Sequence, residues 1–397
     1  MILTKSDTLF FFTKKVDSVI IKLGGNMKKV TILALHLGYG GIERAITDLA
    51  NNITPFYDVT IVSTYKLYDK PVNDLNKKVK VEYLTELKPN KKEFKEALKS
   101  FKIITAIKEL SKAIKILYLK KKLMVDYIKT CDSDVIISTR DIHNLWLGKH
   151  GNKKSLRIGW EHNHHHGNMK YANKIINSCK NLDYLVLVSK DLTNFYKEKT
   201  NTKCIYIPNM VEKSNIKSEL KEKNLISIGR LSPEKGFIDL IEVFKLVNKK
   251  HSDWTLNIIG DGQEKDTITS KIEENNLENK TILHGFLTKK EMEPLLEKSS
   301  IYVMSSLTES FGIVLLEAFA CGIPCIAFDS AEGAKEIISN NKNGFLIKNR
   351  NKEQMADKIC ELIESYNKRL KMGQLGLEKS YEYDSSKVID KWINIIK

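Results

Sequence analysis

Short apolar runs alternate with helix-length amphipathic stretches along almost the whole chain. In the first half, these runs predict seven strands, at 30–37, 59–64, 79–84, 135–138, 156–160, 184–188 and 204–207. A second series predicts six strands, at 225–228, 255–259, 281–284, 301–304, 325–327 and 345–347. Strand–helix alternation of this kind is typical of α/β proteins whose parallel sheets are covered by helices on both faces.

A break in this alternation divides the chain into two parts. Pro208-Asn209 interrupts the pattern, and a charged stretch follows as far as Lys223. We therefore predict two doubly wound, Rossmann-like domains, at 27–208 and 224–380, joined by a linker at 209–223. Ligands of open α/β sheets bind at the carboxyl ends of the strands, so a ligand held between the two domains should contact loops of both.

The first 26 residues do not join the alternation. The sequence Met27-Lys28-Lys29 leads directly into the first strand, so we interpret 1–26 as a non-native or disordered leader. No apolar run has the length of a membrane span or of the hydrophobic region of a signal peptide. The six cysteines form no Cys-x-x-Cys pair, which favours a reducing, cytoplasmic location.

Positive charge is concentrated in one predicted helix. The chain has a net charge of +16, and the Lys88–Lys129 segment contains thirteen lysines and four acidic residues. Apolar residues recur at helical spacing within 94–128, which we predict to be one helix. The stripe either packs on the first domain or docks on an anionic membrane surface. The segment lacks the interleaved aromatic residues of a single-strand binder, so we expect no nucleic-acid partner.

Two cations lie in a loop that directly follows a predicted strand. The loop is GRLSPEKG, Gly229–Gly236, and its cations are Arg230 and Lys235. Arginine and lysine at a strand end can bind the oxygens of a diphosphate and take the place of a metal ion. No Asp-x-Asp metal cradle stands in a strand-end loop, so we expect no metal. The alternative is a solvated basic loop.

The stretch ESFGIVLLEAFACGIPCIA, Glu309–Ala327, predicts a helix that begins near Phe311 with Ser310 as its N-cap. The N-terminus of such a helix suits a phosphate, and Gly312 allows close backbone approach. Glu309 and Glu317 are separated by eight residues, about 12 Å along a helix, so they could bind the two ends of a nucleotide sugar. The alternative for Glu317 is a structural buried acid.

Weaker signals come from two glycine turns and a histidine cluster. GYGGIERA, Gly38–Ala45, and IIGDG, Ile258–Gly262, are turns at strand ends, and neither is a dinucleotide fingerprint. WEHNHHHG, Trp160–Gly167, follows the fifth strand. Its spacing does not resemble a structural zinc site. We expect His164, His165 and His166 to be loop residues and not metal ligands.

Together these motifs resemble the GT-B glycosyltransferases of family 4, the group 1 glycosyltransferases, over about residues 28–395. The most specific element is Glu-x7-Glu, present as Glu309 and Glu317. The loops GGIER, GRLSPEKG and IGDG stand in the family order. The resemblance implies two Rossmann-like domains that face a central cleft, with a C-terminal helix at 381–397 returning to the first domain.

The resemblance also implies roles for individual residues. Arg230 and Lys235 would hold the donor diphosphate, Glu309 the hydroxyls of the donor sugar, and Glu317 the ribose. His162 would lie near the donor sugar, or else be a structural loop histidine. Further donor-site residues are Gly40, Gly41, Gly229, Gly260, Ser310, Phe311 and Gly312. Many relatives have Gly-Pro where this chain has Gly333-Ala334, which weakens inference about the acceptor.

The implied activity is retaining, metal-independent hexosyl transfer without a cofactor. We expect a UDP-linked donor and a glycan or lipid-linked acceptor in cell-surface polysaccharide or glycoconjugate assembly. The expected location is cytoplasmic, at the inner face of the cell membrane. Two alternatives are a sugar-nucleotide epimerase on the same fold and a non-catalytic basic adaptor. The Glu-x7-Glu element favours the transferase over the epimerase, and the presence of Arg230, Lys235 and Glu317 disfavours the adaptor.

Overall fold

Two parallel sheets form the centres of the molecule. The computed structural model describes residues 27–397, so the predicted leader at 1–26 lies outside the described residues. The first sheet has seven strands in the order β3-β2-β1-β4-β5-β6-β7. These strands are β1 (Lys29–Ala34), β2 (Asp58–Tyr65), β3 (Lys80–Thr85), β4 (Val135–Ser138), β5 (Leu156–Glu161), β6 (Tyr184–Leu187) and β7 (Lys203–Tyr206).

Six helices accompany the first sheet. They are α1 (Gly41–Ile53), α2 (Lys91–Lys99), α3 (Ile103–Thr130), α4 (Asp141–His150), α5 (Met169–Cys179) and α6 (Lys190–Lys197). The central strands are fully buried because helices cover both faces. Ile32 of β1, for example, pairs with Ile137 of β4, and neither side chain has exposed surface.

The second sheet has six parallel strands in the order β10-β9-β8-β11-β12-β13. They are β8 (Asn224–Ile228), β9 (Thr255–Ile259), β10 (Thr281–Leu283), β11 (Ile301–Met304), β12 (Cys325–Phe328) and β13 (Gly344–Ile347). The accompanying helices are α7 (Phe237–Lys250), α8 (Lys265–Glu274), α9 (Lys289–Glu297), α10 (Ile313–Ala320), α11 (Glu332–Ile337), α12 (Lys352–Glu364), α13 (Tyr366–Ser380) and α14 (Ser385–Ile396).

The order of strands reverses once in each sheet. The chain leaves β1 toward β2 on one side and later returns to β4 on the other, and β8 stands between β9 and β11 in the same way. Loops on either side of such a reversal diverge and leave a crevice at the carboxyl ends of the strands. The two reversals therefore locate the candidate ligand crevice of each domain.

One predicted helix is interrupted. The pattern at 94–128 predicts a single helix, but the structure has two, α2 and α3, separated at Ser100–Lys102. Phe101 takes a left-handed backbone conformation, with φ of 54°. The prediction was wrong because helical spacing of apolar residues continues across the break, and phenylalanine is not a residue that signals a left-handed turn.

The C-terminal helix returns to the first domain, as predicted. Residues Val211 and Asp384 form an isolated bridge where the chain crosses, and α14 then packs against α1. Trp392 of α14 is fully buried and meets the ring of Trp160 edge to face, at 4.9 Å between centroids. This contact joins the end of the chain to the strand that precedes the histidine cluster.

The segment between the sheets lies against the second domain. Leu220 is buried, and the Ser218 hydroxyl donates to the carbonyl oxygen of Ser299 at 2.6 Å. Across residues 27–397, no helix combines the length and apolar character that crossing a membrane requires.

Candidate active site in the interdomain cleft

Loops from both sheets meet in the cleft between the domains. The first domain contributes the turns after β1 and β5, and the second contributes those after β8, β9 and β11. All of them follow the carboxyl ends of parallel strands, where helix N-termini and free backbone groups also gather. The predicted site residues lie in these turns or, in the case of Glu317, in the helix after β11.

Close backbone packing fixes the turn that contains Arg230. A Cβ atom on Gly260 would lie 1.8 Å from the carbonyl oxygen of Gly229, so only glycine fits at 260. The Arg230 side chain is exposed and has no hydrogen bond or ion pair with any other residue in 27–397. Its Nη2 atom points across the cleft, 3.8 Å from the position that a Cβ atom on Gly40 would occupy. Arg230 is therefore a cation directed at the first domain without a protein partner there.

Lys235 is paired with Glu309. The Lys235 ammonium donates to Glu309 Oε2 at 2.6 Å, and both side chains are mostly buried. Gly236 follows with φ of 63°, and a Cβ there would lie 2.4 Å from the carbonyl oxygen of Ser305. The Ser305 hydroxyl donates to the Lys235 carbonyl oxygen at 2.9 Å. The turn after β8 is thus locked against the turn after β11, with the ion pair between them.

Glu317 forms an ion pair with the first domain. Its Oε1 atom lies 2.5 Å from Nη2 of Arg44, which is on α1. The charge of Glu317 is the main reason why the pKa of Arg44 is raised. The second oxygen, Oε2, is buried and has no hydrogen-bond partner within 27–397. A buried carboxylate oxygen without a donor is costly, and a ligand hydroxyl could satisfy it.

Arg44 also faces a second carboxylate. Asp48, one helical turn further along α1, has an oxygen 3.7 Å from Arg44 Nε. Burial is the largest influence on this acid and raises the pKa of Asp48 to about 6, although the charge of Arg44 opposes the shift. The α1 face toward the second domain is therefore a charged and mostly buried surface.

The glycine turn after β1 approaches the acid Glu43 closely. Arg140 Nη2 donates to Glu43 Oε1 at 2.6 Å, and Glu43 is buried. Gly40 has a φ of 154°, which L side chains rarely adopt, and a Cβ atom there would lie 2.1 Å from Glu43 Oε2, on the carboxylate that Arg140 holds. Nothing lies within 4 Å of a Cβ atom on Gly41, so the space beside it is open to a ligand.

His162, directly after β5, is buried. Its ring packs on Trp160, at 4.2 Å between centroids, and neither ring nitrogen has a partner within 27–397. Burial, with a contribution from the charge of Arg140, lowers the pKa of His162 to about 3. The imidazole is therefore neutral near pH 7, with one donor and one acceptor that a ligand could use.

Glu161, the residue before it, is also buried. Burial raises the pKa of Glu161 to about 7, despite hydrogen bonds that its Oε1 accepts from the Asn163 amide at 2.7 Å and the Tyr171 hydroxyl at 3.0 Å. These bonds fix the start of the histidine loop.

The rings of the other three histidines lie against one another, with those of His165 and His166 each 4.6 Å from that of His164 between centroids. His164 Nδ1 accepts from the His166 amide at 2.9 Å, so Nε2 carries the proton and donates to Asp191 at 2.9 Å. The ring of His165 packs on Phe195, at 3.9 Å between centroids. Within 27–397, no three His, Cys, Asp or Glu residues are grouped so that they could hold a metal ion.

The start of α10 differs from the prediction. The N-cap is Gly312, with φ of 85°, and the helix begins at Ile313. Ser310 was expected to cap it, but the Ser310 hydroxyl instead accepts a hydrogen bond from the His164 amide of the first domain at 2.8 Å. The side chain of Phe311 is buried against Tyr383. Glycine in a left-handed turn thus replaces the serine cap, and frees Ser310 to join the domains.

Sequence patterns did not identify several residues that line the cleft. Arg44 and Glu43 lie inside the quoted GGIER motif, but only its glycines were selected. Glu336, just beyond Gly333-Ala334, also bridges the domains, because its Oε1 accepts from the Tyr206 hydroxyl at 2.5 Å and its Oε2 from the Lys190 amide at 2.9 Å. Arg44 could have been selected from the sequence, because it is a charged residue one helical turn after the glycine that follows the first strand.

The comparisons with known proteins agree with this architecture. Residues 210–379 match the family model described as "Glycosyl transferases group 1". An uncharacterized glycosyltransferase of Haemophilus influenzae is 27% identical over 378 residues, which are 93% of this chain and all of that protein. The poly(ribitol-phosphate) alpha-N-acetylglucosaminyltransferase of Staphylococcus aureus is 31% identical over 253 residues, which are 61% of this chain and 51% of that protein.

Solved structures show the same fold. A mutant of Staphylococcus aureus TarM, in complex with Fondaparinux, alpha-GlcNAc-glycerol and UDP, superposes with a TM-score of 0.76 at 19% identity, over 94% of this chain and 100% of that one. Sucrose-phosphate synthase from Thermosynechococcus elongatus gives 0.76 at 15% identity, over 93% and 98%. The predicted GT-B fold is confirmed.

The ion pair across the cleft should stabilise the folded protein measurably. Arg44→Met would leave Glu317 buried without its partner, and Glu317→Gln would remove the charge that Arg44 faces. We expect the two changes to be coupled by about 1–3 kcal/mol in a double-mutant cycle from denaturant unfolding. The exposed pair Lys80–Asp58, treated in the same way, should give less than about 1 kcal/mol. Additive effects at Arg44 and Glu317 would show that the pair does not join the domains.

Proposed function

We propose that this chain, whose residues 210–379 match the group 1 glycosyltransferases, transfers a hexosyl unit from a nucleotide-diphosphate sugar to a glycan or lipid-linked acceptor. We further propose retention at the anomeric carbon and a UDP-linked donor. The observation that carries the proposal is the meeting of Arg230, Lys235, Glu309 and Glu317 at one cleft. The first two lie on a turn that close packing holds in place, Glu309 is paired with Lys235, and Glu317 lies on α10.

The donor diphosphate would bind between Arg230 and Lys235. Arg230 has no protein partner within 27–397, and Lys235 faces the cleft through its pair with Glu309. As the sugar departs, negative charge grows on the terminal phosphate. Cations carried on a turn whose backbone is held beside that position stabilise the transition state with little movement of the main chain.

Glu309 and Glu317 would bind the two sugars of the donor. Glu309 is ion-paired with Lys235. Its carboxylate can accept hydrogen bonds from hydroxyls of the donor sugar while the neighbouring ammonium contacts the phosphate. Glu317 offers the vacant Oε2 to a ribose hydroxyl, while Oε1 stays on Arg44. His162 would offer a neutral hydrogen-bonding group to the reacting sugar.

The proposed reaction needs no protein nucleophile. In a front-face displacement the acceptor oxygen attacks the anomeric carbon from the side on which the diphosphate leaves, and the departing phosphate accepts the acceptor proton. The bond from carbon to phosphate oxygen breaks as the bond to the acceptor oxygen forms. The roles of the side chains are then to position both substrates and to stabilise charge.

The acceptor is proposed from the nature of the relatives. Two of them are named for transfer to poly(ribitol-phosphate) in Staphylococcus aureus and to poly(glycerol-phosphate) in Bacillus subtilis, and a third is named for amylovoran biosynthesis in Erwinia amylovora. These names support an acceptor that is a cell-surface polymer or its lipid-linked precursor. We accordingly propose that the protein works in the cytoplasm, peripheral to the inner face of the cell membrane.

Product analysis tests the reaction. UDP-sugars incubated with the protein should yield a glycosylated acceptor with the anomeric configuration of the donor, and UDP release should rise when the acceptor is added. Conversion of the nucleotide sugar that is independent of acceptor would instead support an epimerase.

Arg230→Ala should lower the transfer rate about 10²–10³-fold, by analogy with the loss of one oxyanion-hole donor. Lys245→Ala, an exposed cation on α7, is the matched control and should retain the wild-type rate.

Transfer should be independent of divalent metal, because Arg230 and Lys235 provide the positive charge that a metal ion would otherwise supply. We expect the rate to be unchanged in excess chelator, with activity measured before and after addition of Mg²⁺ or Mn²⁺. Loss of activity in chelator and its recovery with either cation would contradict the proposal, and would make His164–His166 candidate ligands again.

A further inference from the structure

Helix α3 and the turn before it present an apolar ridge to solvent. We use the name apolar ridge for Phe101, Ile103, Ile104, Ile107, Leu110, Ile114 and Leu117. The exposed fractions within 27–397 run from 47% for Leu110 to 91% for Phe101. Single exposed apolar residues are ordinary, but a contiguous row of this length is typical of an interaction surface. The interpretation that the stripe packs on the first domain is therefore wrong for most of its residues.

Other residues of α3 attach it to the protein. Ala106, Ile116 and Met124 are buried, and α3 packs against both α2 and α4. The Asn90 amide group donates to the carbonyl oxygen of Glu109 at 2.8 Å and to its carboxylate at 2.6 Å. Met124 and Ile128 continue the helical spacing of the ridge and are fully buried, so this face of α3 is exposed in its first half and covered near its C-terminal end.

The turn between α2 and α3 projects the end of the ridge. Phe101 takes the left-handed conformation, with φ of 54°, and the Lys102 amide donates back to the Ala97 carbonyl oxygen at 3.0 Å. This hydrogen bond closes the turn, so the aromatic ring stands at its tip with 91% of its surface exposed. A strained backbone that displays a large apolar side chain is typical of a binding element.

The segment that carries the ridge is rich in positive charge. Between residues 98 and 122 the only acid is Glu109, which accepts a hydrogen bond from Asn90 and lies 3.9 Å from the Lys112 ammonium. The exposed lysines in the same interval are Lys99, Lys102, Lys108, Lys112, Lys115, Lys121 and Lys122. The surface therefore combines an apolar row with an excess of cations.

We propose that the apolar ridge and its flanking lysines dock this protein on an anionic lipid bilayer. The apolar side chains would enter the boundary between headgroups and acyl chains, and the lysines would contact anionic headgroups. A second copy of the chain is the rival occupant, because 103, 107, 110, 114 and 117 follow coiled-coil spacing. Both copies would carry the same excess of positive charge around the ridge, so an anionic surface is the more complementary partner.

Docking on a bilayer would also fix the position of the cleft relative to the membrane surface. The C-terminal part of α3 reaches Lys120, which is close enough to Arg140 and Asp141 for their charges to act on it. Arg140 in turn holds Glu43 beside the glycine turn. One rigid helix thus connects the proposed lipid contact with a wall of the cleft. This part of the inference rests on the proposed function, since it brings a membrane-tethered acceptor to the site.

Vesicle sedimentation of the full chain tests the proposal. The wild-type protein should bind vesicles of phosphatidylcholine with about one third phosphatidylglycerol, bind pure phosphatidylcholine at least tenfold less, and lose affinity as salt rises. The variant Ile107→Ser with Ile114→Ser should bind the anionic vesicles at least tenfold less tightly, and Ile107→Leu with Ile114→Leu should bind like wild type. Melting temperatures should be similar throughout, because these side chains are exposed.

A matched charge control separates local from overall electrostatics. Lys108, Lys112 and Lys115 changed to Glu should abolish recovery, whereas Lys245, Lys249 and Lys290 changed to Glu, with the same change in net charge, should not. Equal recovery on neutral and anionic vesicles, or none on either, would overturn the proposal. So would self-association that the ridge variants abolish, or vesicle binding that appears only after removal of residues 1–26.

Calorimetry with UDP in the absence of lipid keeps the two proposals distinguishable. UDP binding without vesicle binding would overturn only the docking surface. Vesicle binding without UDP binding would overturn the proposed function and leave the docking surface in place.

Discussion

The ion pair between Arg44 and Glu317 is the interaction on which the geometry of the cleft depends. It joins α1 of the first domain to α10 of the second, at 2.5 Å and largely away from solvent. A carboxylate in such a position is tolerated only if a cation or donors compensate for its lost hydration. Arg44 compensates one oxygen and leaves the other without a partner within 27–397, so the pair both holds the domains together and keeps a polar atom ready for a ligand.

The remaining site residues are positioned by backbone packing. Gly260 lets the turns after β8 and β9 touch, and Gly236 lets the turn after β8 touch the turn after β11. These contacts leave little freedom to the segment that carries Arg230 and Lys235. Cations on a rigid frame suit a reaction in which charge develops at one place, because little reorganisation is then needed.

The local pattern of apolar and polar residues was sufficient to predict the strands of both sheets. The buried strand β11 is a continuous apolar run, β9 is apolar except for Thr255 and Asn257, and the predicted bounds of both match the structure. The pattern failed where conformation is set by something other than apolar spacing. Phe101 breaks a helix whose periodicity continues across it, and Gly312 caps α10 through a left-handed turn while Ser310 bonds to the other domain.

Contacts across the cleft could not be predicted from local sequence pattern, for a different reason. Arg44 and Glu317 are far apart in the chain, and each has an ordinary local explanation as a helix residue. Only the packing of one domain on the other shows that they meet. The exposure of the apolar ridge was equally hidden, because helical spacing gives the direction of an apolar face but does not reveal what covers it.

The central claim is that the cleft binds a nucleotide diphosphate through side chains of the second domain while Arg44 stays on Glu317. A crystal structure of the complex with UDP tests it most directly. We predict that the diphosphate contacts Arg230 and Lys235, that a ribose hydroxyl donates to Glu317 Oε2, and that the Arg44–Glu317 pair persists. A nucleotide bound outside the cleft, or one whose ribose does not contact Glu317, would contradict the account.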